Sequence, residues 1–500
     1  MNPPTGSVRD WLDRRAAETP DAVSHIFADE GASLTWAELK DAAASIAAHL
    51  AGMGVAKGES VALCLPNGRA GITCLFGALY GGFRATPLNL AAGASAMGYA
   101  IGHSQARFAF VGPAQAAIFT DALAETEALP TAIEAGDAII WPSAATADLA
   151  PVEGADHALL MYTSGTTGRP KGVVHDQSSL LAGGWTVTLA HELTPADRAL
   201  MVLPFFHING LCVTLMGPLV SGGAVIVAEK FSLSRFWGWV ADHQATWFSV
   251  VPTIISHLLH GSETPEPEVK GRLRFARSAS APLPVETQRS FEDRFGIPIV
   301  ETMGLTETAA QMLSNPLPPG VRKIGSPGVA IGNETEIIVD GAVAPRGTSG
   351  EIAVRGPNVM KEYLFNPEET AKTITPDGWL LTGDLGHMDA DGYVYVTGRR
   401  KELIIKGGEN IAPREIDEAL YSSDEVVEAA AFARPCPTYG QRVEAAVRLS
   451  ETATATEADL IALCAAKVGK FKAPDRVHLM AELPKGPSGK IQRLKLAEML

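Results

Sequence analysis

Through the first two-thirds of the chain, short apolar runs of strand length alternate with stretches of helical periodicity. "SVALCLP" precedes "ITCLFGALYGG", "ALMVLP" precedes "GLCVTLMGPLV", "ATWFSVVP" precedes "TIISHLLH", and "RLRFARS" precedes the segment from Val285 to Phe295. Parallel strands need a crossover connection, and a helix supplies it, so this alternation predicts βαβ units and largely parallel sheets. From about Gly332 the pattern changes to short β-rich pieces, "TEIIVD", "GEIAVRG" and "GYVYVTG", separated by turn dipeptides such as Asp391-Gly392. These predict a compact β subdomain. After Gly398 a charged tetrad, Arg399 to Glu402, leads into "IAPREIDEALYSSDEVVEAAAFA", a helix then a strand, followed by "RVEAAVRLS", a helix from Thr456 and "RVHLMAEL". That tail reads as a small α+β domain of roughly a hundred residues, a size that folds by itself. The expected fold class is therefore α/β. A large N-terminal domain of βαβ subdomains plus the β-rich subdomain spans 1–398, a hinge 399–401, and a small α+β C-terminal domain 402–500.

Composition narrows the partners. A chain of 500 residues exceeds one hydrophobic core, and 46% hydrophobic with 19% charged residues describes an ordinary globular protein. The formal charge of -15 lacks the basic footprint that nucleic acid or an anionic membrane requires, and it would repel an anionic substrate. Any anion site must therefore be built locally, from backbone N–H groups and a few placed cations. The C-terminal end is an exception, with Lys467, Lys470, Lys472, Arg476, Lys485, Lys490, Arg493 and Lys495 set against Asp475, Glu482 and Glu498. Five scattered cysteines without metal-type spacing read as reduced thiols, which together with the absence of an apolar leader points to the cytoplasm. The uncharged run from Leu200 to Ala228 is broken by Pro204, His207, Asn209, Pro218 and Gly222-Gly223, so it predicts buried strand, loop and helix rather than a membrane span.

Candidate chemistry begins at "YTSGTTGRPKGV", Tyr162 to Val173. It is not a Walker A loop, because Pro170, Lys171 and Gly172 stand where G-K-[ST] is required. Its glycines, its hydroxyl residues Thr163, Ser164, Thr166 and Thr167, and its cations Arg169 and Lys171 are nonetheless phosphate-holding groups in another order. Four more segments follow: "PFFHINGL" (Pro204 to Leu211), "ETMGLTET" (Glu301 to Thr308), "LLTGDLG" (Leu380 to Gly386) and "PKGPSGKIQR" (Pro484 to Arg493).

In this order and spacing the five segments resemble the core motifs of the adenylate-forming (AMP-binding) superfamily, and specifically its acyl-CoA synthetases. The resemblance covers nearly the whole chain. It implies a mobile C-terminal domain hinged near Lys401 and a two-step reaction: a carboxylate and ATP give acyl-adenylate and pyrophosphate, then the coenzyme A thiol displaces AMP. It also implies roles for residues. Thr163, Ser164, Gly165, Thr166, Thr167 and Gly168 would wrap the β- and γ-phosphates with Lys171 nearby; Thr306 would bond the α-phosphate and Glu307 would hold Mg2+. Asp384 would accept from the ribose hydroxyls with help from Arg399, and Ser280, Ala281, Pro282, Glu301, Thr302 and Met303 would form the adenine side. Lys490 would reach the oxygen joining carboxylate to α-phosphate, and rotation of the small domain would then bring Lys406, Gly407 and Gly408 over the pantetheine. The catalytic set so implied is Lys490, Thr306, Glu307 and His207. One departure is Met303, where the family usually carries an aromatic residue stacked on adenine; methionine packs on a ring less rigidly.

"FARSASAPLP", "ATWFSVVPTI" and the Ser314 to Pro318 tract "SNPLP" resemble the oxalyl-CoA synthetase branch, which activates a very small dicarboxylate. A second carboxylate retained in a semi-buried pocket needs a cation, and Arg277, next to Ser278, offers a bidentate fork. The alternative is that Arg277 merely ends a strand and pairs with a nearby acid. His207 and Asn209 border the acyl pocket. Asn209 stands where the oxalate enzymes tend to carry a second histidine, which leaves room for malonate, glycolate or a sulfonated acetate. Expected partners are thus a small carboxylic acid, ATP, Mg2+ and coenzyme A, with no nucleic acid and no membrane, in a monomer or homodimer. An enzyme passing its acyl group to a carrier protein, or a ligase for another short or medium acid, is the alternative. A non-catalytic binding protein would have no use for Lys490.

Overall fold

The computed structural model describes residues 2–163, 170–486 and 491–500. Two large sheets form most of the N-terminal part, as the alternating pattern predicts. In the nine-stranded sheet, strands Ile299–Met303, Phe275–Ser278, Trp247–Val250, Arg198–Met201, Ala224–Val227 and Val23–Phe27 lie side by side and parallel. Antiparallel strands close both edges. In the eight-stranded sheet, His157–Thr163, Arg84–Pro87, Ser60–Cys64, Phe108–Val111 and Thr131–Ala135 are parallel, and Lys171–Asp176 returns antiparallel beside the first. Helices Trp36–Gly52 and Arg69–Gly81 bury their apolar faces against these sheets, in one core that includes Trp36, Phe76 and Phe110. The first helix opens on a reciprocal cap: Thr35 Oγ1 accepts from Glu38 N at 3.2 Å, and Glu38 Oε2 accepts from Thr35 N at 2.8 Å.

Covered on both faces, strands Phe275–Ser278 and Trp247–Val250 are buried at every residue. Their parallel neighbours end at the same side of the sheet, so Ser278 and Met303 both stand at carboxyl ends of parallel strands, where ligands of open α/β sheets bind. Thr163 ends its strand in the same manner. The uncharged run folds as expected into strand, wide π-helical turn Asn209–Met216, helix Gly217–Ser221 and strand Ala224–Val227. No helix among the described residues is long and apolar enough to cross a membrane.

The β-rich segment forms an antiparallel five-stranded sheet in the order Ala342–Val343, Glu334–Val339, Gly350–Arg355, Leu380–Met388, Val394–Arg399. A short 3-10 turn, Arg400–Glu402, with Lys401 exposed, leads from it into the last sheet. There Glu409–Ile411, Ile404–Lys406, Gly440–Leu449 and Val426–Cys436 are antiparallel, and Arg476–Leu479 joins parallel to Gly440–Leu449. This sheet and helices Pro413–Tyr421 and Glu457–Val468 enclose a core of their own around Ile404, Leu420, Val443 and Leu460. Helix Pro413–Tyr421 touches the N-terminal part: Arg414 donates to Val396 O at 2.8 Å and Gly325 O at 3.2 Å, and Glu418 accepts from Val285 N at 3.3 Å.

Candidate active site

Thr163 and Lys171 are paired residues on neighbouring antiparallel strands. Between them in sequence, Ser164, Gly165, Thr166, Thr167, Gly168 and Arg169 lie outside the described residues. The Lys171 ammonium is ion-paired with Glu369 at 2.9 Å and stands 4.2 Å from the ring centroid of Tyr363. The ammonium's hydrogen bond holds the Glu369 carboxyl below the usual range. Tyr363 in turn donates its hydroxyl to Glu307 Oε1 at 2.7 Å. Burial, with Glu307 adding to it, raises the phenol's pKa, so it remains a donor.

The turn carrying Thr306 and Glu307 is fixed from behind. His175, fully buried, has Nε2 2.7 Å from Thr306 O and Nδ1 3.1 Å from Ser179 Oγ. A carbonyl only accepts, so Nε2 carries the proton and Nδ1 accepts from the serine; burial keeps the ring neutral by lowering its pKa. Met360 N donates to Glu307 O at 2.8 Å. At the foot of the turn Gly304 admits no side chain, since a Cβ there would lie 1.1 Å from Ala310 O. Among the described residues no three His, Cys, Asp or Glu side chains converge as a metal cage. Glu307 offers a hard carboxylate, and that donor fits Mg2+, which takes one or two carboxylates and completes its shell with phosphate and water.

Asp384 and Arg399 are register partners on adjacent strands, with Arg399 Nε 2.8 Å from Asp384 Oδ1. The carboxylate is buried, and its charge raises the Arg399 pKa. The pair thus presents an oriented carboxylate, the arrangement needed to accept from a vicinal diol.

The residues expected to border the acyl pocket form a graded polar path. Arg277 is 1% exposed, Asn209 6%, and Ser280 is at the surface. Arg277 Nη1 donates to Asn209 Oδ1 at 2.8 Å and Ser249 Oγ at 3.0 Å, and its Nε to Gln311 Oε1 at 3.3 Å. No carboxylate pairs with it among the described residues, which overturns the reading of a strand-end arginine matched to an acid. Burial lowers its pKa to about 9, leaving it protonated at neutral pH. Ser278 Oγ and Thr302 Oγ1, on neighbouring strands, are buried without a hydrogen-bond partner among the described residues. Glu301 holds the backbone N–H of Leu283 at 3.2 Å, so it braces the Ser280-Ala281-Pro282 segment, and burial raises its pKa. Met303 packs with the hydrophobic cluster beside Leu305. His207 is half-buried, its ring edge-on to Phe206 at 4.9 Å.

Two C-terminal groups differ in placement. Lys490 lies outside the described residues, but Ile491 and Arg493 line a cavity between the domains together with Ala281 and Pro282. Lys406 is turned into its own domain, donating to Phe471 O at 2.9 Å with Asp475 at 3.3 Å, between the rings of Phe471 and Tyr439. Gly407 and Gly408 follow at φ of 59° and 87°, a left-handed pair that glycine alone adopts without strain. Sequence reasoning missed Tyr363, Glu369, His175, Ser249 and Gln311. Each lies far along the chain from its partner, and no motif spacing marks it.

Two family models match the chain: AMP-binding enzyme over residues 12–364 and AMP-binding enzyme C-terminal domain over 415–490. A sulfoacetate–CoA ligase from Cupriavidus necator is 47% identical over 96% of both chains, and an oxalate–CoA ligase from Arabidopsis thaliana is 37% identical over 93% of both. Among solved structures, the Bacillus subtilis O-succinylbenzoate coenzyme A synthetase in complex with ATP and magnesium ion superposes with a TM-score of 0.85 at 29% identity, covering 97% of this chain and 98% of that one. The chain belongs to the AMP-binding enzyme family, as an AMP-forming acid–CoA ligase using ATP, Mg2+ and coenzyme A.

Proposed function

We propose that the acid is small and carries a second anionic group, with sulfoacetate and oxalate the first candidates and malonate next. The observation that supports this is Arg277: a buried, protonated guanidinium whose described partners are all neutral. A buried charge without a counter-ion is destabilising, and an anion held within its field offsets that cost. The relatives' substrates, sulfoacetate and oxalate, share that feature.

In the proposed reaction a carboxylate oxygen attacks the α-phosphorus and pyrophosphate leaves; the coenzyme A sulfur then attacks the acyl carbon and AMP leaves with the pair of electrons. Charge builds on phosphate oxygens in the first step, and Lys171, Thr306 and Lys490 are the groups proposed to offset it. Mg2+ bound by Glu307 would neutralise phosphate charge. Tyr363 aims the Glu307 carboxylate through its hydroxyl, and His175 holds the Thr306 carbonyl. Asp384, oriented by Arg399, is proposed to fix the ribose. A change of domain arrangement about Lys401 is proposed to separate the steps, withdrawing Lys490 and presenting Lys406 to Gly408.

Pyrophosphate release should be measured across sulfoacetate, oxalate, malonate, glycolate, acetate and propionate, with the thioester identified by mass. Sulfoacetate or a dicarboxylate should exceed propionate in kcat/KM by at least about a hundredfold. Equal efficiency on propionate would overturn the reading. Adenylate formation without thioester would favour a carrier-protein acceptor.

A further inference from the structure

The side chains around Asn209 define which way its amide faces. Two donors converge on one amide atom, Arg277 Nη1 at 2.8 Å and Ser249 Oγ at 3.0 Å. That atom must be the oxygen, since a flipped amide would set N–H against guanidinium N–H. Nδ2 consequently faces outward and donates to Ser280 Oγ at 3.1 Å. Ser280 holds a left-handed backbone, φ 73°, and is exposed. From interior to solvent the order is therefore cation, amide oxygen, amide N–H, hydroxyl.

This order bears on which group meets the substrate. Arg277 is 1% exposed and sits behind Asn209, so an anion approaching from the exposed Ser280 side reaches the amide N–H before the guanidinium. A primary amide carries two N–H bonds, and one serves Ser280. A guanidinium hydrogen-bonded to the amide oxygen draws electron density toward that oxygen and makes the amide N–H a stronger donor.

We infer that Asn209 is the specificity-determining residue, donating an N–H to the second anionic group of the acid, and that Arg277 is a positioning residue that orients and polarises this amide rather than binding the anion itself. The inference rests on the reading that the acid carries such a group. The π-helical turn beginning at Asn209 places its side chain across from Ser249 and Ser280, and all eight residues of that turn are buried, so the amide has a fixed seat.

Two substitutions separate this from a purely structural network and from direct binding by Arg277. Asn209→Asp keeps size and shape and would strengthen the contact to Arg277 as an ion pair, so a structural role survives it. It also removes the N–H and neutralises the cation. The ratio of kcat/KM for sulfoacetate or oxalate to that for propionate should fall by about a hundredfold or more. Asn209→Ala removes the donor while leaving Arg277 charged and opening a way to it; the ratio should fall by about tenfold or more. A ratio held or raised in Asn209→Ala means that Arg277 binds the anion directly and overturns the inference. So does an unchanged ratio in Asn209→Asp. ATP binding measured without acid confirms that each variant is folded, and the alanine variant decides if the aspartate one is not. If the wild-type protein itself shows no preference over propionate, the reading of the substrate fails; a preference that both variants keep overturns the inference alone.

Discussion

Arg277 and Glu369 are both partners of a charge, and they predict opposite outcomes. Arg277→Leu removes the cation that orients and polarises the Asn209 amide, and leaves the Asn209 oxygen buried without its charged donor; losing one partner of a buried charged hydrogen bond typically costs about 3 to 5 kcal/mol. The diacid-to-propionate ratio of kcat/KM should fall at least about a hundredfold, and an unchanged ratio would make the residue structural. Glu369 holds Lys171, the cation proposed to offset phosphate charge, and would compete with nucleotide for it. Their contact at 2.9 Å is between half-buried groups, 26% and 33% exposed, worth about 0.2 to 1 kcal/mol. Glu369→Gln should tighten ATP binding up to about fivefold in calorimetry without acid or coenzyme A; weaker binding would show that Glu369 assists the site. Arg277 was legible in the sequence because an arginine beside a strand-end serine is visible in one short segment. Glu369 was not, since its partner is 198 residues away and a carboxylate in an exposed helix looks like any other.

Helix Val285–Phe295 shows how one element sets another. Glu292 near its end accepts from Ile299 N at 2.9 Å, Gln288 Nε2 at 2.9 Å, and Arg322 through two contacts at 2.5 and 3.0 Å. It thereby ties the helix to the strand that ends at Met303. Burial alone would raise the Glu292 pKa, but the hydrogen bonds from Arg322, Gln288 and the Ile299 N–H outweigh it and the net shift is downward. A carboxyl depressed on folding contributes stability above its unfolded pKa of about 4.3 and loses it as pH falls through the folded value. Glu292→Gln should thus lower the denaturant midpoint at pH 7 by an amount equal to about 1 to 3 kcal/mol. The gap should close below about pH 4; a gap that persists in acid would mean that the charge is not what the site uses. At this scale the helix and strand were predictable from periodicity, whereas the bond between them required Arg322, which belongs to no predicted element. The segment "GLCVTLMGPLV" shows the same limit: its apolar pattern indicates a helix, but the π-helical opening at Asn209 follows from packing around it.

The whole molecule is arranged so that Ile491 and Arg493, just after Lys490, share a cavity with Ala281 and Pro282, the residues proposed for the adenine side, while Lys406 is bound within its own domain. That division suits the first half-reaction. Lys490→Ala should slow adenylate formation by orders of magnitude, as for loss of about 3 kcal/mol of charge stabilisation, and largely spare conversion of supplied acyl-adenylate to thioester. Equal loss in both steps would contradict a role confined to the first. Lys401→Pro, in the exposed turn between the sheets, restricts φ where the change of arrangement is proposed; adenylation should survive and thioester formation fail. Wild-type rates in both would place the pivot elsewhere.

What the sequence determined by itself was local: strand and helix patterns, the glycine-bearing turns, the order of five motifs and, through them, the family. These are set by residues close along the chain, where periodicity and steric rules act directly. Tertiary structure alone decided which neutral groups surround Arg277, which way the Asn209 amide faces, and that Tyr363 links Lys171 to Glu307. Those hydrogen bonds join residues 28 to 71 positions apart. Their energies depend on burial and on the absence of competing water, and neither exists until the sheets have closed over them.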